Sequence, residues 1–140
     1  MKILTLPLKK EFAREIVAGK KIREYREFTD FMTSRLFDFK VENEQTIYTE
    51  DSHFTPIHYD AIKFYWYTKD YLLVECKGWQ VFTLNQLKLY RPDESEGGDG
   101  QKSLYRVIAD NDEFDVKNMS NSETIIIFKV GKVIENCAKL

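Results

Sequence analysis

The sequence predicts a single α+β domain over residues 1–140, organised around a small mixed β-barrel. The first third of the chain is predicted to run strand, helix, strand, helix, and the later segments are rich in β-branched and aromatic residues. Those later strands have no crossover helices between them, which a parallel α/β sheet would require. A hydrophobic fraction of 43% in 140 residues suits one soluble domain with its own core.

The first two elements are a strand over residues 3–6 and a helix that follows it. Pro7 suits the first turn of that helix, because the N–H that proline lacks is not needed there. The apolar positions at helical spacing are Leu8, Phe12, Ala13, Ile16 and Val17. Gly19 follows them directly, as a left-handed C-cap does. A second strand is predicted over 20–27, and Thr29 or Asp30 caps a second helix that runs to about Phe39.

The remaining elements are predicted mainly as strands. A weak strand spans 45–49, and three strong ones span 61–68, 71–83 and 123–134. Residues 68–70 are short enough for a hairpin, and Gly78 and Gly131 are candidate bends. Between the strong strands lie a short helix or turn over 84–89, an exposed loop over 92–100 that is rich in glycine and acidic residues, and an ambiguous segment over 103–116.

Charge and composition exclude several classes of protein. The net charge is −2, so the basic footprint of many nucleic-acid binders is missing overall, but residues 1–26 carry +5 and the rest of the chain −7. That basic cluster either meets an anion or forms a solvated helix face. No signal peptide or membrane-spanning run is present, so we expect a cytoplasmic protein without membrane contact. The spacing of the two cysteines and two histidines predicts no disulfide framework, no metal and no cofactor.

The second strand carries the most informative pattern. Ile22, Glu24 and Arg26 share one face, whereas Arg23 and Tyr25 share the other. If the first face points into a barrel, a carboxylate and a guanidinium are enclosed together. A fold tolerates that only as a structural ion pair or as a polar ligand site. A flipped register, with Tyr25 inward and the charges in water, stays open.

Four consecutive aromatic residues occupy positions 64–67. Because strand side chains alternate, half of them must face away from the core. An exposed tyrosine or tryptophan beside a basic cleft would stack on a base. The alternative is that these rings cover the outside of the barrel or pack under a helix.

The N-terminal stretch Leu-Pro-Leu-Lys-Lys-Glu-Phe-Ala-Arg-Glu-Ile-Val-Ala-Gly-Lys-Lys-Ile-Arg-Glu-Tyr-Arg resembles the opening of ASCH domains, which belong to the PUA-like superfamily. Gly19, Lys21, Glu24 and Arg26 match the pattern Gly-x-Lys-x-x-x-x-Arg with a Glu two residues before the Arg. The later segments at 59–64, 74–78 and 127–134 are similar to the closing strands of small members of that family. The resemblance covers most of the chain and is weakest over 85–122, where 91–122 looks like a variable insertion.

The resemblance implies a PUA-like mixed β-barrel with two helices in its N-terminal half and a cleft beside the first helix. It further implies an RNA- or nucleotide-binding module with RNA or a nucleotide as partner. We expect Lys21, Glu24 and Arg26 to form the polar floor of the cleft, and Lys20 and Arg23 to guide the phosphate.

Two alternatives remain. One is an amidohydrolase of a modified pyrimidine nucleoside such as N4-acetylcytidine, with Lys21 and Glu24 as catalytic residues. Glu24 stands where those hydrolases have a threonine. The other is a protein-interaction domain that uses its aromatic surface, in which Glu24 and Arg26 are a structural pair.

Overall fold

The computed structural model describes residues 1–38, 55–67, 69–121 and 123–140, together with the backbone of 41–42 and 45–46. The strands are β1 (Ile3–Pro7), β2 (Arg23–Glu27), β3 (Phe37–Asp38), β4 (Val41–Glu42), β5 (Gln45–Thr46), β6 (Thr55–Pro56), β7 (Ala61–Tyr65), β8 (Tyr71–Thr83) and β9 (Thr124–Asn136). The α-helices are α1 (Lys10–Val17), α2 (Asp30–Leu36), α3 (Leu84–Leu89) and α4 (Leu104–Asp110), and short 3₁₀ turns span Glu94–Glu96 and Val116–Asn118. No helix in these ranges is long and apolar enough to cross a bilayer.

Five strands form one curled sheet in the order β1-β7-β8-β9-β2. The β1–β7 pair is parallel and the other pairs are antiparallel. The sheet makes a half-barrel whose two edges are β1 and β2, and α1 connects these edges along the chain. The predicted fold class, an α+β domain with a mixed barrel-like sheet and two helices in its N-terminal half, is confirmed in this form.

The sheet is covered on both faces, and alternate residues of β9 belong to different cores. Ile126, Phe128 and Val130 lie in the inner core, which contains residues of β1, β7 and α1. Ile125 and Ile127 lie in the outer core, which is built with α3, α4 and the turn after them. Segment 84–119 therefore covers the outer face of the sheet, so the side chains on both faces of the central strands are shielded from solvent.

The N-terminal elements begin and end at other residues than the sequence predicted. Pro7 is the last residue of β1, where it lies opposite Tyr65 of β7, and α1 starts only at Lys10. A proline at a strand end costs no ladder bond that the sheet needs, and the chain resumes pairing when the Leu8 N–H donates to the Tyr65 carbonyl at 2.9 Å. Thr29 caps α2 as predicted, by accepting from the Met32 N–H.

Helix α2 ends at Leu36, before the predicted end, because Phe37–Asp38 pairs with Thr55–Pro56 instead; Phe39 lies outside the described residues. The predicted strand 45–49 is described only at Gln45–Thr46. In the hairpin, β7 ends at Tyr65, and Thr68 is not among the described residues.

The second half contains more helix than the sequence predicted. Residues 84–89 are a helix with a complete capping box between Thr83 and Gln86, and the ambiguous segment contains α4. The predicted loop 92–100 holds the 3₁₀ turn Glu94–Glu96. Strand β8 has the predicted bounds, and its register against β9 shifts next to Gly78 and again opposite the stretch that contains Gly131, so both glycines lie at bulges.

The turn between α1 and β2 places β2 at the sheet edge. Gly19 has φ +75°, and the N–H groups of Lys20 and Lys21 both donate to the Glu15 carbonyl at 2.9 and 3.2 Å. These two lysines therefore belong to the end of the helix, which explains why β2 begins at Arg23 rather than at residue 20.

We expect Gly19→Ala to lower the free energy of unfolding by about 1 kcal/mol, because an L-side chain is strained in the left-handed region. Urea denaturation monitored by circular dichroism measures this change. Gly19→Asn is the matched control and should cost less, since asparagine visits that region more readily. An alanine variant as stable as the wild type would contradict the role of the turn.

Candidate functional site

A cleft of about 840 Å³ opens between the start of α1, the edge strand β2 and the end of β7. Its walls come from three short stretches of chain that the parallel β1–β7 pair and the turn at Gly19 bring together. The lining residues are Pro7, Leu8, Lys9, Lys10, Glu11, Phe12, Glu24, Tyr25, Arg26, Tyr65, Trp66 and Tyr67. A volume of this size accommodates a nucleotide-sized ligand, since small-molecule sites span about 300–1,000 Å³.

The register of β2 aims Glu24 and Arg26 into this cleft. Glu24 lies opposite Phe128 and Arg26 opposite Ile126, both of which face the inner core. Glu24 is only 6% exposed, and Arg26 is partly buried beside it. The enclosed arrangement of an acid and a guanidinium is thus present at the cleft floor.

The contacts of this pair leave each side chain incompletely bonded. Glu24 Oε1 accepts from the Tyr25 N–H at 3.0 Å and lies 3.8 Å from Arg26 Nε. Arg26 Nη2 donates to the carbonyl of Pro7 on the opposite sheet edge. A separation of 3.8 Å is an ion pair without a hydrogen bond, so the two groups do not satisfy one another.

Three polar atoms at the floor make no hydrogen bond to any described residue. Within the described ranges, the buried side-chain nitrogens and oxygens that lack a hydrogen bond are Glu24 Oε2, Arg26 Nε and Trp66 Nε1. All three residues line the cleft. Leaving such a group unpaired costs about 1–3 kcal/mol. Water or a ligand that enters the cleft can supply these hydrogen bonds.

The mouth of the cleft is aromatic and basic. Tyr65 and Tyr67 are exposed, the latter by 69%, while Phe64 is fully buried in the inner core. Lys9 and Lys10 are exposed on the other rim, at the start of α1. Of the four consecutive aromatic residues, one therefore packs in the core and three belong to the cleft.

The predicted ligand-binding residues lie at the cleft floor, in the turn after α1, and on the opposite face of the sheet. Glu24 and Arg26 lie at the floor, whereas Lys20 is exposed in the turn beyond α1. The Lys21 ammonium lies 5.5 Å from the Phe12 ring centroid and 5.1 Å from that of Tyr25, and this lysine is not among the lining residues. Arg23 points to the opposite face of the sheet.

Sequence reasoning did not assign Lys9, Lys10 and Trp66 to the site. The two lysines were visible only as part of the basic cluster, and the tryptophan only as one of four aromatic residues. The pairing of Leu6 with Phe64 brings the two stretches together, and that contact leaves no local signal in the sequence.

On the outer face, Arg23 and Tyr25 hold the segment after β8. Arg23 is 5% exposed and donates through Nη2 to the Glu96 carbonyl, and the Tyr25 hydroxyl donates to Glu113. Burial, followed by the Glu113 carboxylate, raises the pKa of Tyr25 far above its usual value. Described residues 91–121 lie on this face and none of them lines the cleft, so the predicted insertion does not cover it.

Comparisons with known proteins give one distant structural resemblance. The chain matches no protein-family model, and no curated protein matches its sequence. Among solved structures, a mutant form of ZmASCH from Zymomonas mobilis is similar, with a TM-score of 0.46 and 18% identity over 94% of this chain and 68% of that one. This is a resemblance of fold.

The described residues also contain no group of three or more His, Cys, Asp or Glu side chains arranged to hold a metal ion.

We expect Glu24 and Arg26 to be weakly coupled. In a double-mutant cycle of Glu24→Gln and Arg26→Gln, the interaction free energy should stay below about 1 kcal/mol, because the 3.8 Å pair shares no hydrogen bond. Chemical denaturation of the four proteins measures it. A coupling near 3 kcal/mol would instead identify a structural ion pair.

We expect the ion pair between Glu96 and Lys129 to make stability depend on pH. The hydrogen bond from Lys129 at 2.8 Å, followed by that from Tyr90, lowers the pKa of Glu96. A lowered folded-state pKa contributes stability above the unfolded pKa, and that stability disappears as the pH falls through the folded value. Glu96→Gln should therefore cost about 1 kcal/mol or less near pH 7, and progressively less as the pH falls below the unfolded-state pKa and through the lowered folded-state pKa. Thermal unfolding over this range measures the difference, with Glu94→Gln in the same turn as the control that leaves the profile unchanged.

Proposed function

We propose that the chain is an RNA- or nucleotide-binding module and that its ligand occupies the cleft between α1, β2 and the end of β7. The observation that carries this proposal is the convergence of three unpartnered buried polar atoms, on Glu24, Arg26 and Trp66, at the cleft floor. The sequence resemblance to ASCH domains agrees with it.

The floor offers one acceptor and two donors at known positions. Glu24 Oε2 accepts from an exocyclic amine or a ring N–H of a base, whereas Arg26 Nε and Trp66 Nε1 donate to ring nitrogens or carbonyl oxygens. Nucleobase edges present donors and acceptors side by side, so they complement such a floor. A simple phosphate or sulfate presents only acceptors and would leave Glu24 unsatisfied.

The rim supplies the other two features that a nucleotide requires. Tyr65 and Tyr67 expose ring surface on which a base or its neighbour stacks. Lys9 and Lys10 place two positive charges at the mouth, where they attract phosphate groups without desolvation. Phosphate contacts of this kind would position the ligand, while hydrogen bonds from the floor to the base edge would give the specificity.

Binding is supported better than hydrolysis by the position of Lys21. The amide-hydrolase alternative needs this lysine and Glu24 on the same substrate. Lys21 instead packs over the rings of Phe12 and Tyr25 at the edge of the cleft and is not itself a lining residue, while Glu24 lies inside the cleft. The protein-interaction alternative requires a satisfied Glu24–Arg26 pair, and the unpartnered atoms argue against that.

Titration with short single-stranded RNA over a salt series, followed by fluorescence anisotropy, tests the proposal. We expect Glu24→Gln to weaken binding by about tenfold, because a carboxylate that accepts from a base is lost. Lys10→Ala should lower the slope of log Kd against log salt by about one. Lys117→Ala is the matched control, since it removes an exposed charge from the outer-core turn and should change neither quantity.

Two outcomes would contradict the proposal. If Glu24→Gln leaves the affinity for RNA unchanged, the ligand does not bind at the cleft floor. Release of cytidine from N4-acetylcytidine by the wild type, but not by Lys21→Ala, would favour the hydrolase instead.

A further inference from the structure

A second, smaller pocket of about 240 Å³ lies on the outer face of the sheet, under the segment that follows α3. Its floor is formed by β2, β9 and β8, and its roof by Tyr90, Glu96 and Leu104. The sheet separates it from the cleft, because it faces the side of β2 that carries Arg23 rather than Glu24. It has no part in the proposed nucleotide site.

The floor of this pocket holds two cations side by side. Arg23 lies opposite Lys129, and Lys129 lies opposite Gly78, so the three residues form one row across the sheet. Like charges directly opposite each other on a sheet are destabilising. Burial of the guanidinium, which is 5% exposed, increases that cost because less water screens it.

One carboxylate faces these two cations. Glu96 binds Lys129 at 2.8 Å through its side chain, but it offers Arg23 only its main-chain carbonyl. In the described part of the chain, no carboxylate oxygen lies within 4 Å of the Arg23 guanidinium, and the nearby Tyr25 hydroxyl is neutral. A second carboxylate, Glu113, lies one group further away and accepts from the Tyr25 hydroxyl. Arg23 is therefore the cation of this row that has no carboxylate in direct contact among the described residues.

The shape of the pocket leaves room for an anion at this row. A Cβ placed on Gly78 would meet no atom within 4 Å, so space is open next to Lys129. Further along the same face, Phe82, Ile127 and Leu104 give the pocket an apolar side. The volume is below that of a drug-sized site, which restricts the ligand to a compact molecule.

We propose that this pocket binds a small organic anion, a carboxylate on a compact apolar group. The carboxylate lies between Arg23 and Lys129 and supplies the direct contact that Arg23 lacks, and a guanidinium fork suits its two oxygens. The apolar group lies against Phe82 and Leu104. Inorganic phosphate matches the charge but not the apolar side, and it should bind less well.

Titration of the ¹⁵N-labelled full chain with benzoate, followed by amide chemical shifts, tests this proposal. Benzoate should shift the amides of Gly78, Glu96 and Lys129 in a saturable way. Benzamide has the same shape without the charge and should cause no such shifts, and inorganic phosphate should bind at least about threefold more weakly. Absence of saturable shifts with benzoate, or equal shifts with benzamide, would overturn the proposal.

Three variants distinguish an anion-binding site from a purely structural contact between Glu96, Arg23 and Lys129. Lys129→Gln should weaken benzoate binding by about fivefold, and Glu96→Gln should strengthen it by a similar factor, because the competing carboxylate is removed. Lys132→Gln removes an exposed charge from the same strand and should have no effect. A purely structural contact predicts no gain for Glu96→Gln, and that result would overturn the proposal even if Lys129→Gln were unstable.

Discussion

Strand β2 carries charged residues on both faces and is buried on both faces, and the arrangement of the molecule follows from this constraint. It pairs with β9 alone, so its side chains are held by what packs above and below the sheet. On the inner side lies the helix that precedes it, and on the outer side lies segment 84–119. Each ionic group on β2 must find a partner in its own layer or take one from outside the protein.

The two layers resolve this constraint differently. On the outer face, Arg23 and Tyr25 reach Glu96 and Glu113 of the added segment, which turns that segment into a fixed part of the fold. On the inner face, Glu24 and Arg26 have α1 beside them, and α1 offers apolar residues to the core but no partner to the carboxylate. On the outer side the hydrogen bonds of β2 are made within the protein, although Arg23 has no carboxylate in direct contact there. On the inner side, buried polar atoms of Glu24 and Arg26 have no hydrogen bond among the described residues.

Local patterns in the sequence predicted much of this architecture. The alternation of residues 22–26, the helix that ends at Gly19 and the long strand β8 were all readable from side-chain periodicity, since each depends on neighbours along the chain. The sequence leaves two orientations of β2 open, with either Glu24 and Arg26 or Tyr25 facing inward. Helices α3 and α4 cover the outer face, so the side chains on both faces of β2 are buried. The convergence of Lys10 with Trp66 depends on the parallel pairing of β1 with β7, which no short stretch specifies.

The contact between Arg26 and the Pro7 carbonyl joins the two strands at which the sheet ends. The two edge strands make no backbone pairing with each other in the described sheet, and the Arg26 guanidinium connects them. The same guanidinium lines the floor of the cleft. A molecule that binds the Arg26 guanidinium would therefore weaken the contact between the two edge strands, and the loss of that contact would lower its affinity. If a ligand takes this guanidinium, thermodynamic linkage requires that any opening of the β1 and β2 edges changes the affinity for that ligand by the same factor as the ligand changes the opening.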